Sequence, residues 1–518
     1  MDRRLKACLA AAALAALLLL VTGLRQDPDS FGYFHDDTLY FSAAKALAEG
    51  RGLILPSVPG SPALTKYPPL YPWLLAGAWR LSPQFPENVS AALWLSAAFA
   101  AALAAGWFYL LQDLGAGPLE AWVLAAMGAF HPFMQWLSGA VLSDVPFLAL
   151  AVWTALAAGR GWWAAATAGA VAAVLMRSMG VAVVAGVAAA FLYARQWRRA
   201  AAFGGLGGAA IAAGFWWQAA RLVPIEGLAG YRQTMIFYTS YTGFWRLSVP
   251  DAKALGSMLA LNLEEILKSP AAVGLPLASL GWSGVVWALA AGMWYGAARL
   301  GRQRGWPAIH WILLFYSGLT LGWNYPLANR FLAGFLPLFL LGGWREAGRL
   351  ARALRPKRLA LAALAVAGVP LLLDASYSYL VALPAQQAAG GAQRRELALE
   401  KAEVWRWIRE QAGREDRFVA YEDALLWLHT GRQALRPLAF PSQAYYRDTP
   451  ETLAPDLQKL TDTARQIRAR FWVHSADDYQ LEPGAEAIER RTSELLRHFP
   501  VVFRSSGGRV RVHEVRAQ

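Results

Sequence analysis

Eleven apolar runs decide what this chain can fold into. They lie at roughly residues 6–23, 90–112, 119–141, 146–159, 161–176, 179–194, 201–220, 272–297, 306–323, 331–344 and 358–374. A helix of about 20 apolar residues crosses the hydrocarbon of a bilayer, and inside lipid only a helix or a closed barrel satisfies its own backbone polar groups. The runs at 146–159 and 161–176 are short, which suits a tilted or partly re-entrant pair. Charged residues are 16% of the chain and hydrophobic residues 56%, against about 25% charged in a soluble domain. That balance excludes a disordered chain, a collagen-like chain and a disulfide scaffold. Cys8 is the one cysteine, so no internal disulfide forms.

One further apolar stretch, 68–81, opens on Pro-Pro-Leu-Tyr-Pro. Whether it crosses sets the orientation of everything after it, and the distribution of basic residues decides. With eleven crossings, 16 of the 28 basic residues in 1–375 fall in very short loops on the side of the N-terminus. Arg195, Arg198, Arg199, Arg299, Arg302, Arg304, Arg345 and Arg349 are among them. With a twelfth crossing at 68–81 these later clusters would move outside. The stretch therefore reads as an amphipathic segment at the outer interface. The N-terminus is expected in the cytoplasm, the first run as an uncleaved anchor without an A-x-A site, and the C-terminal region outside. The net charge of +14 then reports membrane orientation, and a nucleic-acid partner is not expected.

Three extracytoplasmic pieces are large: the loops 25–89 and 223–270, and the C-terminal region 376–518. That last region holds 21 basic and 19 acidic residues, a soluble balance. Its patterns predict an amphipathic helix over 396–411, a strand over 417–421, a helix over 424–430 closed by Gly431, a buried strand over 471–474, and a hairpin of 501–504 with 510–515. The expected fold is a polytopic α-helical membrane protein of about 11 transmembrane helices. It divides into a membrane domain, 1–375, and a small extracytoplasmic α/β domain, 376–518.

The ionisable residues at the outer face are the candidate site, because charge beside a membrane core is costly and usually functional. Directly after the first run stands Tyr33-Phe-His-Asp-Asp-Thr-Leu-Tyr40. The adjacent carboxylates of Asp36 and Asp37 can act as a general base or as metal ligands, with His35 beside them to tune them. As a structural alternative, one of the two caps a helix. Lys66 and Tyr67 precede a segment whose first turn is fixed by Pro68 and Pro69, where a cation faces phosphate. Asp144, in Leu-Ser-Asp-Val-Pro, Arg177, in Leu-Met-Arg-Ser-Met-Gly, and Arg330, in Asn-Arg-Phe-Leu, fall at outer ends of runs in the eleven-span topology. The two arginines break the positive-inside trend. The basic set suits a phosphate, and the acids suit proton abstraction or metal binding.

In this order, these residues resemble the GT-C superfamily of polyprenyl-phosphate-dependent glycosyltransferases, and within it the bacterial relatives of protein O-mannosyltransferases and of aminoarabinose transferases. The matching features are the acidic pair after the first run with Tyr40, the Lys-x-Pro-Pro of 66–69, the acid at 144, and Arg330-Phe-Leu with Pro337. The segments 424–432 and 507–513 look like parts of the outer domain of such proteins. Leu39 stands where aminoarabinose transferases commonly carry a basic residue, and Asp-Asp stands where Asp-Glu is common. The resemblance implies an undecaprenyl- or dolichyl-phosphate-linked sugar donor and a lipid, glycan or protein acceptor. It implies transfer with inversion at the outer face of the cytoplasmic (inner) membrane. Asp36 is then the base, and Asp37 and Asp144 orient acceptor or base, or bind a divalent cation (Mg or Mn). His35, Tyr40, Lys66, Tyr67, Arg177 and Arg330 hold the donor phosphate and substrate. The rival class is a flippase or transporter of a lipid-linked sugar, which needs the phosphate site and an apolar groove but no base.

Overall fold

The computed structural model describes residues 3–274, 283–325, 327, 330–353, 373, 376–377, 381, 383–443, 446 and 450–515. Apart from Leu373, the run expected at 358–374 lies outside them. The chain forms two compact units that do not follow chain order. One comprises Met1–Gln26, Leu93–Ala213 and Ala260–Ala389; the other comprises Asp27–Ala92, Gly214–Leu259 and Gly390–Gln518.

The first unit is helical. Among the described residues three helices are long and apolar enough to cross a membrane: Leu5–Leu24, Val89–Asp113 and Trp197–Arg221. Five shorter apolar helices accompany them: Pro118–Ala129, Asp144–Gly159, Trp163–Met176, Gly180–Tyr193 and Ala308–Leu321. Ala-, Gly- and Val-rich faces let these helices approach closely. A Cβ on Gly186 would lie 2.5 Å from the backbone nitrogen of Ile312, and one on Gly296 would lie 2.3 Å from the carbonyl carbon of Gly342.

Two apolar runs are not the continuous helices their hydropathy suggests. The run 119–141 breaks into Pro118–Ala129 and Pro132–Ser138. The residue before a proline is pushed out of the helical region, and His131 accordingly sits at φ −54° and ψ 130°. Its imidazole accepts the backbone N–H of Phe133 at 3.1 Å, capping the second helix. The run 331–344 opens as a 3-10 turn at Ala333–Phe335 before the helix Leu336–Ala353.

The second unit carries a five-stranded sheet: β1 (Phe418–Ala420), β2 (Ala434–Leu435), β3 (Phe471–Ser475), β4 (Val501–Arg504) and β5 (Val510–Glu514), in the order β2-β1-β3-β5-β4. β1 pairs in parallel with β2 and β3, while β3–β5 and β4–β5 are antiparallel. β1 and β3 are buried along their whole length, as a strand covered on both faces must be. The long helix Leu383–Gln411 packs Val404, Trp405 and Ile408 into the core with Phe418, Phe471, Val510 and Val512. The helix Asp423–Thr430 ends on Gly431 at φ 71°, where a side chain would strain the left-handed cap.

The same unit gathers helices from both long loops. Asp36–Ala48 and Leu70–Leu81 pack through Phe41 and Trp79, whose rings lie 4.8 Å apart, and the Trp79 indole donates to the Phe41 carbonyl at 2.9 Å. The segment expected to lie at an interface is the helix Leu70–Leu81. It buries Tyr71, Leu75, Ala76 and Trp79 and exposes Trp73 and Leu81. Ala229–Thr239 completes the set, with Gln233 donating to the carbonyl of Ala439 at 2.9 Å.

Candidate active site

Asp36 and Asp37 open the helix Asp36–Ala48, where carboxylates complement the helix dipole. Their environments differ. Asp37 is buried, and its two oxygens accept the backbone N–H groups of Gly32 (2.9 Å) and Thr38 (2.6 Å). Burial nevertheless dominates and pushes its pKa up to about 7, with the charge of Asp36 adding to the rise. Asp36 is only partly buried and accepts the phenol of Tyr67 at 2.6 Å. The adjacent pair thus separates into a carboxyl held inside the fold and a carboxylate held at its edge.

Lys66 and Tyr67 reach this helix from the neighbouring segment. The Thr65 hydroxyl, donating to the Thr239 carbonyl at 2.6 Å, pins that segment to Ala229–Thr239. Lys66 is buried, and its Nζ stands 3.8 Å from the centre of the Phe237 ring, with Tyr67 and Tyr241 at 5.2 and 5.3 Å. Among the described residues it makes no ion pair. Burial, aided by the charge of Arg436, lowers its pKa to about 8, while Asp36 acts in the opposite direction. An ammonium held over ring faces without a carboxylate keeps its donors for an anion. Tyr40 packs edge-on against Tyr67 at 4.8 Å and Tyr71 at 5.1 Å, so three tyrosines wall this side.

Behind the acidic pair lies a polar network drawn from all three segments of the unit. His35 Nε2 is 3.0 Å from Asp423, which is fully buried and accepts the Tyr238 hydroxyl at 2.5 Å. Arg436 stacks 3.9 Å over the Tyr421 ring, donates to the Tyr421 carbonyl at 3.0 Å and lies 3.4 Å from Glu482. Burial first, then the Arg436 charge, lower the pKa of His35, so its imidazole is neutral near pH 7. Asp423, Tyr238 and Arg436 were not legible as site residues. Tyr238 lies in an aromatic-rich stretch of the second loop, Tyr231 to Trp245, and Asp423 reads from sequence as an ordinary residue ahead of an apolar helix.

Asp144, Arg177 and Arg330 come together within the helical unit. Asp144 is the first residue of its helix and is nearly fully buried. Arg330 donates to both its oxygens (2.8 and 2.6 Å), and Arg177 donates to Oδ2 at 2.7 Å and to Ser143 at 3.2 Å. Arg177 occupies the extended residue that ends Trp163–Met176, and its guanidinium lies 5.7 Å from the Phe331 ring. Two guanidinium groups share one carboxylate, which leaves one formal positive charge.

Among the described residues no three His, Cys, Asp or Glu side chains gather as metal ligands. Of the three candidate carboxylates, Asp37 accepts two backbone N–H groups, Asp144 is held by two arginines and Asp36 accepts the Tyr67 phenol. No catalytic step is therefore assigned to a metal.

No protein-family model and no curated protein matches the sequence. Solved structures do match. ArnT from Cupriavidus metallidurans in the apo state aligns over 100% of this chain and 99% of its own, at a TM-score of 0.51 and 16% identity. Bound to undecaprenyl phosphate, it aligns over 98% and 97% at 0.50 and 14%. The oligosaccharyltransferase AglB from Archaeoglobus fulgidus, in complex with an inhibitory peptide and a dolichol-phosphate, aligns over 96% of this chain and 74% of its own, at 0.52 and 12%. The chain has the GT-C fold. At these identities the likeness is one of backbone architecture. In the GT-C arrangement of this chain, the acidic pair and Lys66 belong to one compact unit and Asp144 with its arginines to the other.

Proposed function

We propose that the protein is a membrane glycosyltransferase that moves a sugar from a polyprenyl-phosphate donor to an acceptor hydroxyl or amine, with inversion. The GT-C fold over nearly the whole chain supports the class. The observation that carries the chemistry is the pairing of a partly exposed carboxylate, Asp36, with a buried ammonium, Lys66, that has no ion-pair partner among the described residues. A transporter of lipid-linked sugars needs the cation but has no use for the carboxylate.

In this reading Asp36 takes the proton from the acceptor O–H or N–H. The acceptor's lone pair forms the bond to the anomeric carbon from the face opposite the phosphate. The bond from that carbon to the phosphate oxygen breaks, and its electron pair leaves with the polyprenyl phosphate. Lys66 stabilises the charge that develops on the leaving group, so no general acid is needed. Tyr67 orients Asp36 through its 2.6 Å hydrogen bond, and Tyr40 shapes the sugar side. Arg177 and Arg330 are assigned to anion binding, with Asp144 fixing their geometry; Asp37 supports the helix end. We further propose eleven crossings, a cytoplasmic N-terminus, a periplasmic C-terminal domain, and a reaction that survives EDTA.

The test uses the full chain in nanodiscs with a panel of synthetic undecaprenyl-phosphate-linked sugars. Release of undecaprenyl phosphate is followed with and without acceptor candidates. The wild type should turn over at least one donor, and Asp36→Asn should fold, insert and transfer nothing measurable. Wild-type turnover by Asp36→Asn would overturn the assignment.

A further inference from the structure

His35, the residue just before the acidic pair, has a backbone conformation it does not prefer. Its φ is +51°, in a region that side-chain-bearing residues enter only when their surroundings hold them there. The surroundings do so from several directions. The His35 carbonyl accepts the Thr38 hydroxyl at 2.7 Å and the Leu39 N–H at 3.1 Å. Its ring stacks on Phe237 at 5.8 Å and meets Tyr238 edge-on at the same distance. Its one side-chain hydrogen bond is to Asp423, 388 residues away in sequence and fully buried at the start of the helix Asp423–Thr430. Nδ1 of the same ring is buried and has no hydrogen-bond partner among the described residues. Nε2 faces a carboxylate, which only accepts, so a neutral imidazole carries its proton on Nε2 and that N–H donates to Asp423.

We propose that Asp423 is a positioning residue: by holding His35 it fixes the positive-φ turn that aims Asp36 at Tyr67. This rests on the reading of Asp36 as the base. The turn is short and directly precedes Asp36, so its dihedral angles set where the carboxylate points. The element that fixes them comes from the C-terminal part of the chain, beside the parallel strand β1. The C-terminal segment thereby takes part in the reaction without touching substrate. Asp423 is well suited to the task. It is completely buried, and with Tyr238 and His35 donating to it the carboxylate has little freedom to turn.

The experiment has two arms on the full chain in nanodiscs. Hydrogen exchange of the peptide covering 33–41 needs no donor. In Asp423→Asn the exchange at Leu39 should quicken by about tenfold, while exchange of β3 and β5 stays as in the wild type. The second arm reads transfer from an undecaprenyl-phosphate-linked sugar that the wild type uses. A misaimed base should lower kcat by roughly 10²-fold with KM within about twofold, because the donor contacts are untouched. His35→Gln keeps an N–H at the reach of Nε2, so its exchange at Leu39 should stay near that of the wild type; His35→Gly keeps the backbone freedom but not the contact, and its exchange should quicken with that of Asp423→Asn. Unchanged exchange at 33–41 in Asp423→Asn, or a His35→Gly variant whose exchange matches that of His35→Gln, overturns the proposal. If Asp423→Asn does not fold, the two His35 variants decide. If the wild type uses no lipid-linked sugar, the glycosyltransferase reading fails, and the exchange arm alone still decides whether Asp423 holds the turn.

Discussion

The two clusters of ionisable residues solve the burial of charge in opposite ways. In the helical unit Asp144 is compensated by two guanidinium groups at 2.6–2.8 Å, and little of its hydrogen-bonding capacity is left over. In the second unit the charge of Asp36 acts on Lys66 without an ion pair between them, Lys66 rests on aromatic faces, and burial shifts the pKa of both Lys66 and Asp37 toward neutrality. Closed compensation produces a rigid scaffold. Open compensation leaves groups whose protonation and partners can still change, as acid–base chemistry requires. On the proposed reading the first cluster holds two anion-binding arginines in fixed geometry and the second carries the acid–base step.

Substitutions should separate the two, and the largest effect belongs to the second unit. Asp36→Asn is expected to lower transfer by 10³-fold or more, in line with loss of a general base (roughly 10²–10⁴). The thermal midpoint in nanodiscs should stay within a degree or two of the wild type. A comparable midpoint loss would show that Asp36 is scaffold as well.

Next comes Asp144→Ala, which leaves two guanidinium groups sharing no carboxylate. Breaking a buried ion pair from one side costs about 3–5 kcal/mol, to be read as a lower unfolding midpoint. A variant that melts like the wild type would contradict the scaffold role given to Asp144.

A smaller effect concerns pH. Lys66 is charged below about 8 and neutral above it. An anion binds the charged form, so affinity for undecaprenyl phosphate should fall as pH rises through 8. In Lys66→Arg the guanidinium does not titrate in this range, and the fall should vanish. A wild-type affinity flat from pH 7 to 9.5 would contradict the role given to Lys66.

The smallest expected effect is that of Asp37. Its carboxyl titrates near 3.8 when unfolded and near 7 in the fold, so the folded chain holds the extra proton between those values. Stability should therefore decline as pH rises from about 4 to about 7. Asp37→Asn should flatten that part of the profile in thermal melts.

Much of the helical unit was legible from sequence, because apolar helices are specified largely by local hydropathy. The runs 90–112, 146–159, 161–176, 179–194 and 306–323 each reappear as a helix within a few residues of its expected ends. The exception at 119–141 is local too: Pro132 was in plain view, but hydropathy does not register a proline break. Four of the five C-terminal strands were also readable, since alternation and β-branched runs are local signals, but the two-residue β2 (Ala434–Leu435) was not. The three-segment make-up of the second unit was not readable. Loops 25–89 and 223–270 looked like separate connections, yet they share one compact unit with the C-terminal region.

Sequence alone therefore determined that the chain is built of apolar helices with an α/β region at its end, and which charges break the orientation pattern. Hydropathy and charge asymmetry are properties of short segments, so no fold is needed to see them. Tertiary structure decided what each of those charges meets. Asp144 proved to be shared by two arginines, Lys66 to rest on Phe237, and His35 to be held by a carboxylate 388 residues away. A hydrogen bond or a ring contact depends on distances of 3–4 Å between segments far apart in the chain, and no local pattern encodes them.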